Sequence, residues 1–543
     1  MASETQAGQV GGAALPLPPM KWDAWGDPAL AKPLSEDIKG LLTAFLGVSA
    51  EAAAAPLAAE DVVLRPSALS PQDLAELAAA VGAEHVSAAD ADRLPRTGGK
   101  STPDLLRRRS REPQDAPDAV LLPGSEEEIA AVLAVCAERR IAVVPFGGGT
   151  SVVGGLDPLR GSFAAVVSLD LRRLDALHSL DEVSGEAVLG AGLTGPRAEE
   201  LLAEHGWELG HFPQSFRFAT IGGFAATRSS GQDSAGHGRF DDMVRGLRVV
   251  TPAGVLDLGR APASAAGPDL RELFLGSEGV FGVITRVRLR VHPLPAAKVH
   301  EAWSFPDFAT GAAALRAVEQ QGAGPTVLRL SDESETAVNL AMTEQIGGEQ
   351  VTGGCLAVTV FEGTKEQAEA RHETTRAVLL AAGGTSLGAG PAVAWEHGRF
   401  SAPYLRDALL DAGALCETLE TATDWAGLER LKTAVTAALQ GELGSGSLVL
   451  CHISHVYPTG ASLYFTVLAA QQGDPITQWD TAKRAACEAI MANGGTITHH
   501  HAVGADHRPW MDREIGDLGV KILRAVKDAV DPVGILNPGK LIP

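Results

Sequence analysis

The sequence predicts an α+β protein with a helical N-terminal region, a unit of alternating strands and helices, and a second α/β unit followed by a returning segment. Three observations predict it. From Asp118 onward, short apolar runs such as AVLLP and IAVVPF alternate with stretches whose apolar residues recur at helical spacing. Glycine-bearing segments recur through that region at 147–149, 222–223 and 276–282. Residues 296–480 then alternate strands with Ala-rich helices and show no internal repeat. At 543 residues the chain is long enough for two or three domains with sizeable cores.

Residues 1–20 read as a disordered tail, since MASETQAGQVGGAALPLPP has neither the basic start nor the apolar core of a signal peptide. Residues 21–112 read as mostly helical; DLAELAAAVG carries an apolar face, and LLRRRSR at 105–111 is expected to be a solvated helix face. The next unit, 113–298, opens with the strand AVLLP. Ser125, three residues before Glu128, predicts a capping box, followed by Ile129, Val132, Leu133 and Cys136 at helical spacing. Further strands are expected at AAVVSLD, EAVLGAG, LRVVTPAG and FGVITRVRLRV. The last sets Val283, Thr285, Val287, Leu289 and Val291 against Arg286, Arg288 and Arg290, as a half-buried strand does. HPLP closes the unit. A second unit covers 299–480, and 481–543 begins with a helix, passes three histidines and ends in ILNPGKLIP.

Composition excludes several classes. A formal net charge of −22 argues against nucleic acid, whose phosphates require clustered Lys and Arg. No apolar run approaches the roughly 18 residues that cross a bilayer. Five scattered cysteines fit neither a disulfide framework nor a metal knuckle, and point to a reducing cytoplasm.

The strongest chemical signal is Pro145, Phe146, Gly147, Gly148, Gly149, Thr150 and Ser151, a strand running into three glycines and two hydroxyls. Glycines remove Cβ atoms and admit positive φ, so successive N–H groups can converge on a diphosphate, with Thr150 and Ser151 adding donors. The pattern is not the GxGxxG that opens a helix. A tight surface turn is the alternative. A second segment holds Gln214, Ser215, Phe216, Arg217, Phe218, Ala219, Thr220, Gly222, Gly223, Thr227, Arg228, Ser229 and Ser230, mixing hydroxyls with aromatic rings as a flat, polar-edged ligand requires. A third runs through Glu278, Gly279, Val280, Phe281, Gly282, Val283 and Ile284. Three such segments in order describe one cofactor gripped from three sides.

PFGGGTS, the TIGGF–TRSSG region and GSEGVFGVIT resemble the FAD-binding domain of the vanillyl-alcohol oxidase flavoprotein superfamily. Within it, MKWDAWGDP, GPDLRELFLGSEG, YLRDALLDAGALCETLETATDW and GGTITHHHAVG resemble the alkyldihydroxyacetonephosphate synthase family over nearly the whole chain. The resemblance implies a PCMH-type two-subdomain FAD-binding domain with an α/β cap. It also implies a net non-redox reaction in which acyl-dihydroxyacetone phosphate exchanges its acyl group for a long-chain fatty alcohol, while flavin N5 holds the dihydroxyacetone carbon. FAD is expected to be non-covalent, since PFGGGTS has no histidine to tether it. A homodimer and peripheral membrane contact are open under this resemblance. No peroxisomal signal is evident, and a cytoplasmic location is expected.

The resemblance makes Tyr457, in CHISHVYPTGASLYF, the proton-transfer residue; neighbouring histidines that are cationic or donate hydrogen bonds would favour its phenolate. Tyr464 reads as a strand tyrosine with its hydroxyl at the surface. Arg406 matches the substrate-phosphate arginine, a role suited to its bidentate fork, and Thr418 lies where the family has serine. Arg329, flanked by apolar residues, should be paired or face a cavity, with Asp332 as its candidate partner. His211 reads alone as structural and by resemblance as an active-site residue. His499, His500 and His501 follow the strand-like GGTIT; on an extended chain either His500 or the 499/501 pair faces the flavin. A zinc site adding His452 and His455 lacks the usual spacing, and no metal is expected. The rival is an FAD-linked 2-hydroxy acid dehydrogenase of D-lactate or glycolate type, suggested by ILNPGKL. Such enzymes usually carry HxGDGNxH in the cap, where this chain has the tyrosine motif.

Overall fold

Ser70 and Ser101 each close a capping box, opening the helices Pro71–Val81 and Thr102–Arg108 of the N-terminal region. The computed structural model describes residues 18–31, 33–48, 57–321, 324–342 and 354–543, so the tail expected over 1–20 lies almost wholly outside the described residues. The N-terminal region is mostly helical but adds a short strand, β1 (Val86–Ser87). The basic run is a solvated face only at Arg107 and Arg111. Arg108 is 1% exposed and donates to the carbonyls of Trp22 and Gly98, while Arg107 pairs with Asp104 and Arg109 with Asp411. Packing against residues 21–28 draws Arg108 and Arg109 inward, because their donors find the carbonyls of Trp22 and Asp23 there, while Arg107 stays half-exposed.

β2 (Ala119–Leu121), β3 (Ile141–Phe146) and β4 (Ala165–Asp170) join β1 in a sheet ordered β1-β2-β4-β3, in which β2, β4 and β3 run parallel. The helix Glu126–Arg139 covers it with Ile129, Val132, Leu133 and Cys136, as the spacing predicts. Its capping box is half formed: Ser125 accepts from Glu128 N, but the Glu128 carboxylate takes Gly124 N at 2.6 Å, drawn towards Arg173.

The second sheet comprises β5 (Leu177–Asp181), β6 (Glu186–Gly190), β8 (Val244–Thr251), β9 (Gly254–Leu258) and β10 (Val283–Arg290), ordered β5-β6-β10-β8-β9. In β10 the residues Val283, Thr285, Val287 and Leu289 are buried and Arg286 is exposed, as predicted. Beside this sheet, β7 (Trp207–Glu208) pairs with β11 (His292–Pro293), so HPLP continues as a strand before turning into the cap.

The cap is a seven-stranded antiparallel sheet of β12 (Ala297–Phe305), β13 (Val327–Ser331), β14 (Cys355–Gly363), β15 (Thr385–Gly388), β16 (Ala414–Asp424), β17 (Leu448–Ile453) and β18 (Gly460–Ala470), ordered β15-β12-β14-β13-β17-β18-β16. The helices Phe308–Gln321, Leu428–Leu443 and Pro475–Ala492 contribute Leu315, Leu431, Val435, Trp479 and Ile490 to its main core. A boundary at 480 therefore falls inside a cap helix. The chain then returns: Ile535 and Leu536 enter the core of the first sheet, and Val143 N donates to Ile535 O at 2.9 Å.

Candidate active site

Gly148 leaves the end of β3 so close to the second glycine segment that an added Cβ would lie 2.0 Å from Phe218 O. Gly279, with φ +74°, sits so near the strand end that a Cβ would lie 2.8 Å from Pro145 Cγ. Side chains at either point would push the three segments apart. Together they wall one end of a cavity of about 1570 Å³, lined by Pro145 through Ser151, Gln214, Ser215, Arg217, Ala219, Thr220, Gly222, Gly223, Thr227, Ser229, Ser230, Glu278, Gly279, Gly282 and Ile284. Six expected contact residues do not line it. Phe216 stacks on Phe400, Phe218 meets Trp25 edge-on, Arg228 pairs with Asp241 and Glu272, and Val280, Phe281 and Val283 belong to the core.

The cavity has two further regions. An apolar arm is lined by Leu30, Pro33, Ile38, Leu42 and Leu46 of the N-terminal region and by Leu405, Leu409 and Leu468 of the cap. A polar floor carries Arg406, Thr418, Tyr464, His452, His455, His500, His501, Arg329 and Glu335. Arg406, 9% exposed, pairs with Asp407 Oδ1 at 3.0 Å and donates to Lys100 O at 2.6 Å. Arg329 is paired, but with Glu335 at 2.5 Å; Asp332 instead holds Lys432. Glu335 also accepts from His452 Nδ1 at 2.8 Å. Burial would raise the Glu335 carboxyl, but the His452 and Arg329 charges and hydrogen bonds outweigh it and hold it down at about 2.

GGTIT is not a strand, and the histidines are not on an extended chain. Glu420 accepts the backbone N–H of His499 at 2.6 Å, of His500 at 3.1 Å and of His501 at 2.9 Å, and the Thr498 hydroxyl at 2.6 Å. One buried carboxylate thus curls the triplet into a nest, placing the His499 and His500 rings 5.2 Å apart and those of His500 and His501 4.8 Å apart. Burial opposes ionisation of Glu420, yet its histidine neighbours and Thr498 hold the carboxyl well below the usual range. His500 and His501 line the cavity. His499 does not, and neither expected pairing holds.

Tyr457 does not line the cavity either. Its hydroxyl lies 2.6 Å from His499 Nε2, and burial pushes it up to about 12 against the opposing pull of Arg239. Tyr464 does line the cavity, as Tyr404 does, and stacks on His452 at 4.9 Å and on His500 at 6.0 Å, so the surface reading of Tyr464 is overturned. Burial raises it to about 12 against a hydrogen bond with Thr418. Burial likewise depresses His499, His500 and His501 to about 3. The histidines are therefore neutral at pH 7, and the cationic neighbours expected for a tyrosine are absent among them. His211 is also held at about 3 by burial. It lies behind the wall, with Nε2 3.1 Å from Ser229 Oγ, rather than in the cavity.

Sequence reasoning overlooked Glu420 and Glu335, placed Tyr464 at the surface, and gave His455 a role only as a neighbour of Tyr457 or as a zinc ligand. His455 joins the floor to the second glycine segment and the residues after it, through Ser230 at 3.0 Å and Ser234 at 2.6 Å. No comparable signal marked Glu420: its strand reads ALCETLETATD, with Glu417, Asp424 and three threonines beside it, unlike the apolar flanks of Arg329. Ligand atoms of His455, His499 and His500 lie within 4.8 Å of one another, a nitrogen set that spacing alone did not foreshadow.

A family described as FAD binding domain matches residues 117–259, and one described as FAD linked oxidases, C-terminal domain, matches 294–541. The alkyldihydroxyacetonephosphate synthase of Trypanosoma brucei brucei is 32% identical over 569 residues, covering 96% of this chain and 92% of that protein. The chain belongs to that family. A solved structure of an alkyldihydroxyacetonephosphate synthase superposes with a TM-score of 0.83 at 29% identity, covering 96% of this chain and 99% of that one. The mitochondrial cytochrome D-lactate dehydrogenase of Arabidopsis thaliana is 29% identical but covers 79% of this chain and 74% of its own length. This family member is an FAD enzyme, and its residues fit the cofactor. Gln214 Nε2 is a buried donor at the cavity wall with no protein partner, and the glycine wall has no Cβ where a diphosphate must approach.

Proposed function

We propose that this chain exchanges the acyl group of acyl-dihydroxyacetone phosphate for a long-chain fatty alcohol, forming alkyl-dihydroxyacetone phosphate. The observation that carries the proposal is the continuity of one cavity from a glycine cradle, across a floor with Arg406 and Thr418, into an arm of eight apolar side chains. A phosphorylated three-carbon unit and an alkyl chain need those two surfaces side by side; a small 2-hydroxy acid needs no such arm.

FAD, when bound, supplies the electrophilic ring at which the exchange occurs without net oxidation. Arg406 and Thr418 bind the substrate phosphate, with the guanidinium pre-oriented by Asp407 and Lys100 O. Tyr464 moves the substrate's C1 proton. Its neutral phenol donates, and the neutral imidazoles of His500 and His501 beside it accept, so a proton can pass either way without a charged resting pair. Arg329 sets Glu335, and through it His452, on whose ring Tyr464 stacks. Tyr457 and His499 form a supporting pair behind His500.

No helix among the described residues is long and apolar enough to cross a membrane. A cytoplasmic location, a homodimer and peripheral membrane contact belong to the same proposal. Ile515, Leu518 and Ile522 on the helix Met511–Val530 support the contact, as an exposed apolar stripe.

The deciding experiment is anaerobic turnover of acyl-dihydroxyacetone phosphate with a fatty alcohol and no electron acceptor. Exchange under those conditions supports the proposal. A strict need for oxygen or a dye, together with oxidation of D-lactate or glycolate, replaces it with the dehydrogenase.

A further inference from the structure

Away from the cavity, four ionisable side chains meet where the flavin domain touches the cap. Glu208 on β7 and His292 on β11 are register partners. His237, at the end of the helix Ser234–His237, lies with its ring 4.5 Å from that of His292. Glu362, near the end of β14 in the cap, sends Oε2 to 3.7 Å from His237 Nε2, while its Oε1 holds Lys298 at 2.5 Å. Ligand atoms of Glu208, His237 and Glu362 all lie within 4.8 Å of one another, and none of these residues lines the cavity.

Two features make this more than an ion-pair network. The Nε2 atoms of both His237 and His292 are buried without a hydrogen-bond partner, an arrangement that ordinarily costs free energy. In addition, the 3.7 Å separation of His237 Nε2 and Glu362 Oε2 is long for a charged hydrogen bond, which runs about 2.7–2.9 Å. It is close to the roughly 3.3 Å expected between two ligands that each sit about 2.0–2.1 Å from a tetrahedral zinc ion. The surrounding charge is mostly acidic, with Arg290 also present, donating to His237 O at 2.7 Å. Glu199 also faces the group, its carboxylate occupied by Leu209 N and Gly210 N, and Lys298 is the lysine against it.

We propose that Glu208, His237 and Glu362, with His292 as an adjacent nitrogen, bind a divalent transition-metal cation of zinc type that pins the cap to the flavin domain. Nitrogen and carboxylate ligands together suit zinc better than magnesium or calcium, which favour oxygen alone.

Zinc titration of chelator-treated holoenzyme, read by calorimetry and by thermal unfolding, tests the site. The expected result is one zinc equivalent that raises Tm, survives His500→Ala, and weakens at least about tenfold in Glu208→Gln and His237→Ala. An unchanged flavin spectrum shows that each variant is folded. Glu208→Gln is isosteric and gives the answer if His237→Ala fails to fold. No zinc binding by the wild type, binding unaffected by Glu208→Gln, or binding abolished only by His500→Ala each overturns the proposal. The last of these would assign the metal to the cavity histidines.

Discussion

Glu420 accepts the backbone N–H of His499 at 2.6 Å across 79 residues of sequence, and through that bond a cap strand dictates the shape of the histidine turn. Glu420→Gln should keep the side-chain volume while setting an amide donor against donors that need an acceptor. The expected cost is about 1–3 kcal/mol of stability, the penalty for a buried group left unsatisfied. A larger fall in kcat than in flavin content should accompany it. Wild-type kcat with wild-type Tm would refute the positioning role.

Tyr464 and Tyr457 make opposite predictions. Tyr464→Phe removes the hydroxyl that faces the cavity and should lower exchange by about 10²–10⁴-fold with FAD content retained, the usual contribution of a general acid–base group. Tyr457→Phe loses hydrogen bonds to His499 and Arg239, neither of which lines the cavity, and should cost far less. Stopped assays of both variants, normalised to bound flavin, decide the assignment, and the reverse order would restore Tyr457.

Arg406 tests the phosphate site. Arg406→Lys should raise KM for the phosphorylated substrate more than it lowers kcat, because a point charge replaces a fork. Removing the phosphate from the substrate should then make wild type and variant alike. If the variant is equally impaired on both, Arg406 serves only to pair with Asp407.

Leu468 lines the apolar arm, and Leu468→Trp should shorten it. Each methylene that no longer fits forfeits about 0.8 kcal/mol, nearly fourfold in affinity. Competition between fatty alcohols of different length should show preference moving to shorter chains, with the unmodified phosphate substrate bound as before.

Acid should unfold the protein early. His211, His499, His500 and His501 are held at about 3 by burial, whereas an unfolded histidine titrates at about 6.5. The unfolded state therefore binds more protons below about pH 6.5. Stability is fully present above that value and falls as pH drops, by up to about 1.4 kcal/mol per pH unit for each histidine. Denaturant midpoints that stay flat between about pH 7.5 and 5.5 would contradict the neutral cluster.

Much of this architecture is legible in one dimension. Ile129, Val132, Leu133 and Cys136 announce their helix and the alternating residues of β10 announce their strand, because local periodicity reports which face is buried. The glycine segments are equally plain, since close backbone approach leaves few alternatives to glycine. The histidine turn was not legible. Its conformation comes from Glu420, a residue remote in sequence, and no local pattern records a carboxylate that arrives from another strand. The choice between Tyr457 and Tyr464 failed for a related reason: both sit near histidines in sequence, but only the β16–β18 pairing, with Tyr464 opposite Glu420, tells which one meets the cavity.

The pairing of Val143 with Ile535 also bears on how this protein is made. The strand that carries the glycine cradle emerges early in synthesis, yet the backbone groups beside it wait for residues 535–537, where Asn537 N donates to Val143 O at 2.8 Å. Domains usually fold as they leave the ribosome, in order from the amino end. Here the first sheet keeps an unpaired edge until nearly four hundred further residues have been translated. Flavin capture should therefore be a post-translational event, and nascent chains stalled before residue 535 should collect without it.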